Sequence, residues 1–204
     1  MKKTLVTLVS GIASGMFVGI GGAVFLSCEN KMVGAALFAV ALLTICMFSL
    51  YLFTGKIGYL ATDLHLSTAY ALVVGLIGNA VGAFGTGVLV KLCRPALAVK
   101  ATEICSAKLE QKFYVTIILA AFCGVLMYTA VEIFKTKGST LGIIYCIPVF
   151  ILSGFEHSVA DVFYFTVSDT SPARWIVFII FAVIGNAIGS IFTRILHRVS
   201  NIEI

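Results

Sequence analysis

The stretch Pro148–Phe163, PVFILSGFEHSVADVF, holds the residues best suited to chemistry. An apolar run is interrupted at Ser153–Gly154, carries Glu156, His157 and Asp161 in quick succession, and then turns apolar again. A histidine changes charge near neutral pH, so it can supply a proton or donate a hydrogen bond to an anion. Ionisable side chains at membrane depth are costly and mark an ion or substrate path by default. Glu156 and Asp161 read as structural: a broken helix frees backbone N–H groups, and a carboxylate can cap them. No HExxH or GxSxG occurs, and the six cysteines form no CxxC pair or other metal pattern. The chain is therefore read as not an enzyme, with no metal and no cofactor.

The elements that hold these residues must lie in a membrane. Of 204 residues, 60% are hydrophobic and 11% charged, and mean hydropathy is +1.10; a soluble domain carries about 25% charged residues. Spans of roughly 20 residues leave room for about six helices and no separate soluble domain, so residues 1–204 are expected to form one transmembrane domain. The bilayer is the expected surroundings, and nucleic acid is not an expected partner. The apolar run after Met1–Lys3 reaches about Cys28 without a clear cleavage site, which points to a retained first span rather than a signal peptide.

The spans are expected at about Leu5–Ser27, from Met32 through an interruption at Tyr51–Tyr59, at Thr68–Leu92, Phe113–Phe134, Ser139–Val167 with its own break, and Trp175–Leu196. Gly11, Gly15 and Gly19 recur every four residues, a small-residue stripe for close helix contact. GNAVGA at 78–83 answers GNAIGS at 185–190, and the break in span 2 answers the break in span 5. A unit of three spans crosses the membrane an odd number of times, so a second copy is inverted. The predicted fold is all-α, with six spans in two inverted three-helix repeats of about 1–95 and 108–204. Broken helices at matching places put the site where the breaks meet, as in channels and secondary transporters.

Lysines and arginines divide between both sides, so their count gives no orientation. The basic segment Lys91–Lys112 reads either as an anion-collecting vestibule or as a solvated interfacial loop partly neutralised by Glu103 and Glu110.

SGFEHSVADVF resembles the span-5 signature of the formate/nitrite transporter family, LFTG at 52–55 resembles that family's span-2 loop, and both GN motifs fall where the family has them. The resemblance implies an aquaporin-like protomer, a homopentamer with one pore in each protomer, and passage of small monovalent anions such as formate, nitrite or hydrosulfide, through either an anion channel or a transporter coupled to protons by the central histidine. It implies cytoplasmic termini and a bacterial-type inner membrane. It makes His157 the central pore histidine, Thr54 its partner and Asn186 a further group reaching the ring. Phe38, Leu42, Phe53 and Phe150 become constriction residues, and Lys108 the vestibule lysine. Two positions depart from the family pattern: Gly124, where asparagine is usual, and Asp161, where FEHSxAN has asparagine. The alternative is an aquaporin-like pore for small neutral solutes, although the NPA signature is missing.

Overall fold

The structure is a computed structural model that describes residues 2–200; Met1 and residues 201–204, at the outer ends of the two expected repeats, lie outside it. The elements are α1 (Lys2–Ser27), α2 (Lys31–Met47), α3 (Phe53–Lys56) running into a 3₁₀ turn (Ile57–Ala61), α4 (Leu66–Cys93), α5 (Ala96–Leu109), α6 (Phe113–Lys137), α7 (Leu141–Leu152), α8 (Ser158–Val167) and α9 (Pro172–Ser200). Four of them, α1, α4, α6 and α9, are long and apolar enough to cross a membrane. Val73, Ile77, Val81 and Phe84 on α4 are exposed, an outer surface suited to lipid or to another apolar chain.

Two long pairs form the frame, α1 against α4 and α6 against α9. Small residues make both contacts possible. A side chain on Gly15 would run into the Asn79 carbonyl, and one on Gly124 into the Asn186 carbonyl. Gly124, a departure from the family pattern, is thus where α6 meets α9 backbone to backbone. The stripe of α1 is used up inside the chain, against α4 and α8, and leaves nothing for a partner copy.

The basic segment between the halves contains a helix, not a solvated loop. Leu97, Ala98, Ala101 and Cys105 recur at helical spacing, and α5 buries that face. The span-2 interruption also falls earlier than the sequence predicts. The backbone leaves the helix at residues 48–52, whereas Thr54, Gly55 and Lys56 are themselves helical.

Both broken spans end the same way. Helix α7 closes with Gly154 in the left-handed region (φ 68°) and the Phe155 N–H donating to the Phe150 carbonyl at 3.0 Å. Helix α2 closes with Ser49 at φ 54° and the Leu50 N–H donating to the Ile45 carbonyl at 2.9 Å. These are Schellman-type caps, which favour glycine at the left-handed position. Ser49→Gly removes a steric cost of about 1 kcal/mol and is expected to raise the melting temperature by roughly 2–4 °C, measured by thermal denaturation in detergent.

Candidate functional site

Each break restarts on an asparagine. After the first, the Phe53 N–H donates to Asn79 Oδ1 at 2.8 Å, while Asn79 Nδ2 donates to the carbonyls of Tyr51 (2.7 Å) and Gly11 (2.9 Å). After the second, the Ser158 N–H donates to Asn186 Oδ1 at 2.9 Å, while Asn186 Nδ2 donates to the carbonyls of Glu156 (2.8 Å) and Ala120 (2.9 Å). Each amide satisfies the backbone groups that a broken helix frees, one on either side of the break, and ties them to a long helix. Asn186 therefore braces the backbone flanking His157 and does not reach its ring. Both asparagines are fully buried.

This bracing presents His157 at the N-cap of α8, where its Nδ1 accepts from the Ala160 N–H at 3.1 Å. An Nδ1 that accepts is unprotonated, so in the neutral ring Nε2 carries the hydrogen. Nε2 lies 2.9 Å from Thr54 Oγ1, so it donates to the threonine and leaves the Thr54 hydroxyl hydrogen free for another acceptor. The structure thus joins the two residues across the two breaks, in a region where both are buried.

The sequence predicts Glu156 and Asp161 as caps of freed backbone N–H groups, but no backbone N–H among the described residues donates to either carboxylate. Both carboxylates pair with Lys108: Glu156 through Oε2, and Asp161 through Oδ1 at 3.0 Å. Gln111 Nε2 also donates to Glu156 Oε1 at 3.1 Å. The capping role is taken instead by Asn186 and by His157 itself. Lys108, near the end of α5, is no solvated loop lysine; its side chain is 14% exposed, against 1% for Glu156 and 2% for Asp161. One ammonium here faces two carboxylates.

These groups line a cavity of about 380 Å³, walled also by Phe38, Phe150 and His157. The Phe38 and Phe150 rings meet edge to face at 6.1 Å, and Phe150 lies 5.8 Å from the His157 ring. A second cavity of about 210 Å³ is lined by Gly55, the residue next to Thr54, and by Leu42, Leu52 and Phe134 among others. The resemblance points to Phe53 and not to Leu52 as the constriction residue here. Leu52 is buried in the same core as Leu42 and lines that cavity, whereas Phe53 turns away to pack with Ile57 and Leu72. The signal available was alternation across the restart of the helix, where neighbouring residues point to different sides. The buried histidine–threonine pair thus has one cavity lined by His157 and another lined by Gly55, the residue next to Thr54.

The sequence profile described as formate/nitrite transporter matches residues 1–199. No curated protein matches the chain. Among solved structures it is similar to a pentameric formate channel with formate bound, at 19% identity and TM-score 0.82, with 98% of each chain covered. It is also similar to an ion channel of the same family, at 22% identity and TM-score 0.81, covering 97% of this chain and 89% of that one. At these identities the structural likeness speaks for the fold, and the profile match across nearly the whole chain speaks for the lineage. The chain belongs to the formate/nitrite transporter family.

Proposed function

We propose that the protein is a channel for small monovalent anions, with formate, nitrite and hydrosulfide as the candidate substrates and His157 as the point of proton coupling. The observation that carries the reading is the buried Thr54–His157 hydrogen bond, with His157 lining one cavity and Gly55, next to Thr54, lining another. A bare anion loses several kcal/mol on leaving water for an apolar constriction. At the neck the Thr54 hydroxyl hydrogen, left free because Oγ1 accepts from His157 Nε2–H, is the donor that offsets part of that cost, and Phe38, Phe150, Leu42 and Leu52 exclude water around it. A neutral ring offers a hydrogen bond but no proton, because giving up Nε2–H leaves an imidazolate. Proton delivery requires His157 protonated on both nitrogens, and Nδ1 must then release the Ala160 N–H. Coupling to protons therefore costs one cap bond of α8.

The matching caps and asparagine braces support two inverted three-span repeats, six spans in all, in an aquaporin-like protomer. The pentameric neighbour supports a homopentamer with one pore in each protomer, and the family supports a bacterial inner membrane with cytoplasmic termini. Uptake in proteoliposomes tests the function. We expect saturable flux of at least one of formate, nitrite and hydrosulfide that rises as pH falls, with glycerol swelling at the level of protein-free liposomes. Glycerol swelling without anion uptake would make it a neutral-solute pore.

A further inference from the structure

The cavity behind Thr54 holds two cations for which the pore reading has no use. Lys56, directly after Gly55, and Lys135, near the end of α6, both line it. Among the described residues neither ammonium is paired with a carboxylate. Each instead lies over a tyrosine ring, Lys56 at 5.0 Å from Tyr51 and Lys135 at 4.0 Å from Tyr59. The nearby carboxylate of Glu132 is occupied: Tyr59 donates to Oε2 at 2.5 Å and Arg194 to Oε1 at 3.1 Å. The remaining wall is largely apolar, formed by Leu42, Ile45, Leu52, Val131 and Phe134. Two like charges facing a small apolar space repel each other, and an anion between them relieves the repulsion.

We propose that this cavity is an anion-binding site in which Lys56 and Lys135 hold a small monovalent oxyanion, such as formate or nitrite, directly behind Thr54. The inference rests on the channel reading and adds to it a second mouth that differs in kind from the first. At the Lys108 mouth one ammonium is already matched by two carboxylates, so little attraction is left for a ligand. At the Lys56–Lys135 mouth the positive charge is unmatched. Low-dielectric walls strengthen that attraction, and focused charge of this kind concentrates counter-ions at a pore opening. The size fits as well, because about 210 Å³ admits a formate with a few waters.

Two measurements test the site. In proteoliposomes at low salt, the double variant Lys56→Gln/Lys135→Gln is expected to raise the half-saturating formate concentration about tenfold, while Lys56→Arg/Lys135→Arg stays near wild type. A folded glutamine double variant with an unchanged half-saturating concentration overturns the proposal. The second measurement needs no variant, because Cys46 lines the same cavity and Cys93 is exposed elsewhere. Sodium formate, against sodium gluconate at equal ionic strength, is expected to slow modification of Cys46 by methyl methanethiosulfonate, followed by peptide mass, and to leave Cys93 unaffected. Cys46 labelled at the same rate in formate and gluconate also overturns the proposal. Protection of Cys46 in a protein that carries no formate flux upholds the site and rejects the transport reading, so the two fail separately.

Discussion

Replacing His157 with asparagine is expected to leave the protein folded and to flatten the pH dependence of anion flux. His157 has two tasks: Nδ1 caps α8 through the Ala160 N–H, and Nε2 holds Thr54. Asparagine is among the best N-cap residues, so the first task survives; alanine there costs about 1 kcal/mol. Asparagine cannot take up a proton at these pH values, so the second task loses its titration. If a single proton on His157 governs flux, the wild type changes about tenfold per pH unit on its steep limb. The variant should be level over the same range. Uptake is measured from pH 5 to 8 with protein-free liposomes subtracted at each pH, because the neutral acid crosses a bilayer unaided. A folded His157→Asn protein with the wild-type slope would place the proton elsewhere and end the coupling proposal.

How far such a site can be read in a sequence depends on whether a residue acts through its side-chain type or through its partner. His157 is legible because it is ionisable and sits at a break in an apolar span. The GN motifs are legible as equivalent points of two halves, yet their task is not, since an amide serves equally well as a ligand or as a brace. Only the geometry shows Asn79 and Asn186 closing the backbone on either side of a break. Leu52 and Phe53 show a different limit. Both are apolar neighbours at a helix start, and which one faces the neck is set by where the helix resumes, at Phe53 and not after Gly58. Helix α5 was hidden by its charges: the lysines and glutamates of residues 91–112 mask a small apolar face that is recognised only once something packs on it. Lys108 is the sharpest case, because its carboxylate partners lie 48 or more residues away in sequence, on the far side of α6 and α7.

That pairing changes what Lys108→Ala is expected to do. A vestibule lysine in water would lose only attraction, an effect that added salt would screen. Lys108 instead pairs with both Glu156 and Asp161, whose side chains are almost wholly buried. Removing it strands two buried carboxylates, one of which already has an oxygen, Asp161 Oδ2, without a hydrogen-bond partner. Breaking a buried pair by deleting one member costs about 3–5 kcal/mol, a large share of the stability of any chain. Lys108→Ala is therefore expected to lower the melting temperature in detergent by on the order of 10 °C or to prevent recovery of folded protein, and added salt should not reproduce the loss. The triple variant Lys108→Met/Glu156→Gln/Asp161→Asn removes all three charges while keeping similar volumes, and replacing a buried ion group by neutral residues is often close to neutral in energy. It should recover most of the stability that the single variant loses. Anion uptake by the recovered protein then reports whether the Lys108 charge serves transport or the fold. Wild-type melting of the Lys108→Ala protein would mean that water reaches the two carboxylates, and Lys108 would again be a vestibule charge open to screening.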